Sequence, residues 1–397
     1  MARHVEAILN RRKHGLAISV GSSRVYTFDR EGRPYHAMLE GATYVRGLDN
    51  TLLQKTRDAN GVRRRTICTA GQSLEVLNTI WSQAKSCRDA LSTPVDDEGA
   101  DQRSLREEDL EALNAVLHWT PEKLSAEKAR FYDVYNPIGV LPPDQYRSIV
   151  VQASEGCSWN RCTFCTLYRD REFRIKDEPQ LRQHIENIKA LHGKALADRK
   201  SIFIGDANAL TIPHARLHRS MEIIREAFPE QANALHSFLD IFSSLSKDTD
   251  YFEQLRRLGL KKVYIGLESG SEELLRFLDK PVEPKNVIPL VKNLKDAGIN
   301  VAVIIMAGIG GHRFAEGHRR DTIDVLSKLP LDLGDQIYIS ALTASEKMPY
   351  LQVAENAGIE PMTAEELAEQ VDYFRRSLQT RFTSAKISTY DLAEFIY

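Results

Sequence analysis

The sequence predicts an α/β fold built on a parallel sheet, and two observations predict it. Six short runs rich in β-branched and other apolar residues recur at 148–151, 201–204, 237–241, 262–265, 300–305 and 336–340. Helical segments separate them, so successive strands run the same way, in a sheet that is either open or curled into a partial barrel. Composition agrees. The chain has 397 residues, 42% hydrophobic and 27% charged, which is a soluble globular balance in a chain too long for one ordinary domain.

Residues 1–145 read as a separate N-terminal α+β accessory lobe. Leu16 to Val20 and Arg24 to Phe28 are apolar-rich runs split by Gly21-Ser22-Ser23, a hairpin pattern, and another turn is expected between Asp29 and Pro34. Helices are expected near 73–90 and 107–118. Between them, 92–103 is polar and acidic, with Pro94 and Gly99, and reads as an exposed loop. The strand–helix unit follows over 146–345. One of its helices carries Tyr251, Leu255 and Leu258 on one face and stops at Gly259; another carries Leu290, Val291 and Leu294 and stops at Gly298. Residues 346–397 read as a mainly helical extension. Thr363 and Glu366 form a capping-box pattern, and the aromatic end is expected to be docked.

The net charge of −2 supplies no general field for nucleic acid, so nucleic acid is not indicated as a partner, although Arg63, Arg64 and Arg65 form a local basic cluster. No apolar run approaches the ~18 residues of a membrane span, and no secretion signal is seen. Five cysteines, three of them within nine residues, do not resemble a disulfide framework, so a reducing cytoplasm is the expected setting.

The chemical signal is Cys157-Ser-Trp-Asn-Arg-Cys162-Thr-Phe-Cys165, a C-x4-C-x2-C loop after the first strand of the parallel unit. Three readings compete. A structural zinc site needs a fourth ligand, and the nearest downstream histidine, His184, lies well outside the loop. A ferredoxin-like carrier needs a fourth cysteine further on, and none follows Cys165; Cys68 and Cys87 read as buried thiols. A 4Fe–4S cluster held by three thiolates leaves one iron open, as a catalytic metal site requires.

At these residues the sequence resembles the radical S-adenosylmethionine (SAM) superfamily, in the branch of coproporphyrinogen oxidase, Elp3 and MiaB relatives. Phe164 fits the aromatic before the third cysteine of the family motif, C-x3-C-x2-C; the extra residue between Cys157 and Cys162 departs from it. The resemblance implies a partial (β/α)6 TIM-like barrel. It also implies a 4Fe–4S cluster on Cys157, Cys162 and Cys165, and reductive cleavage of SAM to a 5′-deoxyadenosyl radical that abstracts hydrogen from an unidentified substrate. A low-potential donor such as flavodoxin or ferredoxin is the implied electron partner. The rim residues then acquire cofactor roles. Gly205-Asp206 resembles the segment that meets SAM's amino group, Glu268 the ribose-binding position, and Lys280 the arginine that meets SAM's carboxylate. Asp240 and Ser243 lie at the end of the third strand, and the Gly308 and Gly310 backbone approaches the adenine. Gly308, Gly310 and Gly311 are not a dinucleotide fingerprint, because Arg313 takes the third glycine place. His312 and His318 either face the substrate or bond to the loop. Tyr168, Arg169, Arg171 and Arg174 either shield the cluster or form a solvated basic face. No Asp-x-His pair is present, so cobalamin-dependent methylation is not expected. No individual catalytic residue is assigned. Other readings are an iron–sulfur electron-transfer protein without SAM chemistry, a zinc-stabilised binding module, and an RNA- or peptide-modifying enzyme of the same superfamily.

Overall fold

The computed structural model describes residues 7–12, 14–58, 61, 63–92, 100–392 and 395–397. The chain divides into two compact units: Met1–Pro137 with Asn187–Asp198 and Ile396–Tyr397, and Ile138–Glu186 with Arg199–Phe395. Most of the loop expected over 92–103 lies outside the described residues. Its end is helical, because a helix begins at Ala100.

The first unit is an antiparallel meander of seven strands in sequential order: β1 (Ala7–Arg12), β2 (Gly15–Val20), β3 (Arg24–Phe28), β4 (Pro34–Leu39), β5 (Ala42–Arg46), β6 (Leu52–Arg57) and β7 (Arg63–Ile67). The expected hairpin is β2–β3. The β4–β5 turn has only two residues, Glu40 and Gly41, both at positive φ, the twist that a two-residue hairpin requires. One face of the meander buries Ile18, Tyr26 and Ala37 against three helices, α1 (Ala70–Leu91), α2 (Ala100–His118) and α3 (Pro121–Val134). Val76, Leu77 and Ile80 of α1 and Leu113 and Val116 of α2 complete this core. Each fully buried aliphatic side chain stabilises by about 1.5–3 kcal/mol. At the aromatic end of the chain, Tyr397 is buried in this unit beside Phe131 and Tyr135.

In the second unit β8 (Ile149–Gln152) leads into the short pair β9 (Ser154–Glu155) and β10 (Arg174–Ile175), then α4 (Glu178–His192), whose residues from Asn187 on belong to the first unit. Alternation follows: β11 (Ile202–Gly205), α5 (His214–Ala227), β12 (Leu235–Leu239), α6 (Thr249–Arg257), β13 (Leu260–Glu268), α7 (Glu272–Phe277), α8 (Val287–Asp296), β14 (Asn300–Ala307), α9 (Gly311–Leu326) and β15 (Gln336–Ala341). The tail supplies α10 (Pro349–Asn356), α11 (Ala364–Gln379) and β16 (Lys386–Tyr390). Every strand pairing in the sheet β8-β11-β12-β13-β14-β15-β16 is parallel. Sequential order with parallel pairing throughout places all strand C-termini on one rim, as in a partial barrel.

The tail is mainly helical, with the expected Thr363/Glu366 capping box, but it also returns a strand. β16 joins β15 in parallel register from Gln336–Lys386 to Ser340–Tyr390, so the sheet has seven strands where six were expected. At the opposite end from the rim, Asp144 accepts hydrogen bonds from Tyr264, Tyr338 and Lys262, tying the segment before β8 across β13 and β15. No described helix is long and apolar enough to cross a membrane.

Candidate cofactor site

The cysteine loop hangs from β9 at the C-terminal rim of the second unit. Gly156 turns into it at φ +73°, where a Cβ would lie 2.8 Å from the Glu172 carbonyl oxygen. Cys157, Cys162 and Cys165 are all half-buried free thiols; Cys157 and Cys165 both act on Cys162, and Cys157 acts on Cys165. Burial pushes the Cys162 thiol up to about 11, against the pull of the Lys280 charge, and raises Cys165 as well. Such thiols become thiolates when a metal displaces their protons. Among the described residues no three His, Cys, Asp or Glu side chains converge on a single ion. The donor set is three soft sulfurs spread along one loop, which suits a cluster of several irons.

Glu268 and Lys280 meet beside this loop. Glu268 sits in the left-handed region, φ +62°, at an irregularity in the pairing of β13 with β14. A Cβ on Gly266 would come within 2.4 Å of the Glu268 carboxylate, so glycine there makes room for it. Lys280 Nζ lies 3.3 Å from Glu268 Oε1 and 5.8 Å above the Phe164 ring. Burial works to lower the Lys280 ammonium, but the Glu268 and Cys162 charges outweigh it and hold Lys280 above its ordinary value. One buried cation therefore links the carboxylate, the aromatic and the cysteine loop.

The other rim residues fall into two groups. Asp240 accepts the Ser243 N–H at 2.7 Å and an amide hydrogen of Asn208, so the ends of β11 and β12 share one polar cluster. Asn208 is buried, and its Oδ1 has no hydrogen-bond partner within the protein. Asp206 instead is engaged by Gln152 (3.2 Å), the Gly156 N–H (3.2 Å) and Arg171 (3.1 Å). Its buried carboxyl is raised by desolvation, with Arg171 opposing. It braces the start of the cysteine loop.

Gly308 and Gly310 also serve packing. Their N–H groups donate to Gln370 Oε1 at 2.6 Å and to the Tyr350 hydroxyl at 2.8 Å. A Cβ would strike Leu367 at Gly308, and Leu274 and Phe314 at Gly310. His318 bonds to β14 and to the residue after β13 rather than to the glycine loop. Its Nε2–H donates to the Met306 carbonyl, leaving Nδ1 to accept from Ser269. His312 is exposed and pairs with Glu366. Arg169 donates to the Cys162 and Cys165 carbonyls, Arg171 packs over the buried Tyr168 ring, and Arg174 is an exposed partner of Glu155.

Residues 151–326 match the family model described as the Radical SAM superfamily. That match covers somewhat under half of the chain. An uncharacterized methyltransferase of Pyrococcus horikoshii is 26% identical over 203 residues, 49% of this chain and 40% of that protein. Two solved radical SAM structures are similar. The methyltransferase TsrM of Kitasatospora setae, with cobalamin and an iron–sulfur cluster bound, has a TM-score of 0.42 at 19% identity, covering 57% of this chain and 44% of that one. The coproporphyrinogen III oxidase HemN of Escherichia coli has a TM-score of 0.43 at 15% identity, covering 58% and 52%. The chain thus spans well under two thirds of each of these relatives.

Three features of this site lay beyond the sequence reading. Tyr350 of α10 donates its own N–H to the Thr163 carbonyl in the cysteine loop while its hydroxyl holds Gly310. Gln370 of α11 holds Gly308. Trp159 and Arg161, inside the cysteine loop, anchor on Asp279, through its carbonyl and its carboxylate. The capping box before α11 placed that helix, but no local signal gave its contact partners.

Proposed function

We propose that the second unit binds a 4Fe–4S cluster through Cys157, Cys162 and Cys165 and cleaves SAM reductively. The observation that carries this reading is the three-thiol loop joined by the buried Glu268–Lys280 pair inside the matched domain. When bound, the cluster and SAM supply an electron and a 5′-deoxyadenosyl radical for hydrogen abstraction. Lys280 offers a fixed positive charge to SAM's carboxylate, without the fork of an arginine. Glu268 is oriented by Lys280 to accept hydrogen bonds from hydroxyls of the ribose. Asp240 and Ser243, with the unpaired Asn208 Oδ1, supply polar contacts further along the rim. Asp206 keeps one acceptor position for SAM's amino group while its other bonds hold the loop. Phe164 shields the Lys280 side of the loop from water.

The deciding experiment is anaerobic reconstitution with iron and sulfide, followed by SAM and dithionite. Formation of 5′-deoxyadenosine is the expected product signal, and a fully loaded protein that forms none defeats the reading. Lys280→Met should weaken SAM binding by about tenfold to a hundredfold, on the scale of a lost charged hydrogen bond, while Lys280→Arg retains most of it.

A further inference from the structure

The four-residue spacer between the first two cysteines places a hydrogen-bond donor on one of the sulfurs. Asn160, the third residue after Cys157, lies in the left-handed region at φ +50°. Asparagine tolerates that conformation better than nearly any residue but glycine. The turn aims the Asn160 backbone N–H at Cys157 Sγ, 3.4 Å away. Its side chain fixes the turn from the other side, because Nδ2 donates to the Tyr168 carbonyl at 2.8 Å, and Tyr168 is buried.

The flanking residues are also anchored. Trp159 Nε1 donates to the Asp279 carbonyl at 2.7 Å, and its ring lies 6.0 Å from that of Phe242. The Arg161 guanidinium sits 4.8 Å from the Trp159 ring centre and pairs with the Asp279 carboxylate at 3.2 Å. The spacer is therefore not slack. Residues 159 and 161 both hold Asp279 and residue 160 holds Tyr168, and together they fix where one N–H points.

Hydrogen bonds to the sulfurs are among the factors that set an iron–sulfur cluster's reduction potential. An N–H donor stabilises sulfur more as the cluster gains an electron, so it favours the reduced form. We infer that Asn160 is a positioning residue whose backbone N–H on Cys157 Sγ raises the reduction potential of the cluster. The inference rests on the cluster reading above.

The test uses the full chain reconstituted anaerobically, with iron and sulfide content and the shift of the reduced-cluster EPR signal on adding SAM measured first. Absence of a cluster would sink the cluster reading itself, and this inference with it. With a cluster present, dithionite-poised EPR titrations compare wild type, Asn160→Gly and Asn160→Val. Glycine keeps the left-handed turn and its N–H, so its midpoint should stay near that of wild type. Valine cannot hold φ +50° without strain, so its midpoint should move to a more negative potential. A fully loaded valine variant with an unchanged midpoint overturns the inference. Wild type labelled with 15N-asparagine supplies a measurement independent of any valine variant. Pulsed EPR of its reduced cluster should show a nitrogen coupling that Asn160→Gly removes, and its absence also overturns the inference. If the valine variant assembles no cluster, this coupling decides.

Discussion

Both units are built on seven-stranded sheets in sequential order, one antiparallel and one parallel, and their buried charges have different work. In the antiparallel unit Arg33, 2% exposed, is held by Asp29 at 3.0 Å and Glu127 at 3.4 Å and by the carbonyls of Leu191 and His192. Each of its three side-chain nitrogens donates to the protein, which makes the group a brace of the fold. In the parallel unit Glu268 ends β13, Asn208 and Asp240 lie just past β11 and β12, Lys280 follows α7 to meet Glu268, and Asn208 keeps an acceptor unpaired. The lesson is topological. A meander alternates its strand ends between two edges and scatters whatever polar residues follow them. A singly wound parallel sheet delivers every strand to the same rim, so residues distant in sequence are gathered without any local signal.

The contrast is broken most severely at the cysteine loop. Cys162→Ala should all but abolish iron binding and 5′-deoxyadenosine formation, because two thiolates and a distant backbone do not hold a cluster. Circular dichroism should show the secondary structure retained. Wild-type iron content in this variant would overturn the loop as the cluster site.

The reverse experiment is Arg33→Ala, which removes a buried cation and leaves Asp29 with its backbone donors and Glu127 with Arg130. A loss of about 3–5 kcal/mol in unfolding free energy is expected, read from urea denaturation. SAM affinity of the folded protein should not change. A loss below about 1 kcal/mol would mean that the carboxylates relax into water.

These two sites also differ in how far they could be read in advance. Six strands of the parallel sheet were legible because both faces are buried, leaving near-continuous apolar runs such as Val301 to Ile305. β16, Lys-Ile-Ser-Thr-Tyr, is an edge strand with a half-polar pattern, and nothing local marks it. In the meander only β2 and β3 were apolar enough to read. β6 and β7 carry Gln, Lys and Arg on exposed or half-exposed positions and are strands because their neighbours pair with them. The thiol loop was legible because its ligands sit within nine residues. Tyr350 and Gln370 were not, because their only signal is a contact across 40 residues of sequence, or 62, to the glycine loop.

His318 sharpens the comparison through pH. Burial holds its imidazole down to about 4, with the Met306 carbonyl opposing and the nearby Arg319 and Asp321 charges acting in opposite directions. The folded protein therefore keeps it neutral while the unfolded chain, near 6.5, binds a proton. Between those values the unfolded state holds more protons, so stability falls as pH falls through that window and levels off below it. The cost reaches on the order of 3 kcal/mol near pH 4. His236, also held to about 4 by burial, adds a parallel slope of its own. Comparing urea midpoints of wild type and His318→Leu from pH 7 to pH 4 isolates the His318 share. The variant should start lower, having lost the bonds to Met306 and Ser269, and should fall less steeply. Parallel curves would mean that His318 already has a similar pKa in the unfolded chain.

The smallest expected effect probes how the tail holds the rim. Tyr350→Phe keeps the ring in its apolar cluster with Leu274, Ile309 and Phe314, and keeps the backbone bond to Thr163. It removes only the hydroxyl that accepts the Gly310 N–H, leaving that donor buried and unpaired. The penalty should be about 1–2 kcal/mol, the scale of one buried unsatisfied group. How it divides is the informative part. If the Tyr350 hydroxyl only stabilises the fold, the loss appears in urea denaturation and SAM affinity is untouched. If it sets the position of the glycine loop against the cysteine loop, SAM affinity falls several-fold while iron content stays whole. The second outcome is expected, because Tyr350 bonds both loops at once through atoms of a single residue, and a shift of one is then a shift relative to the other.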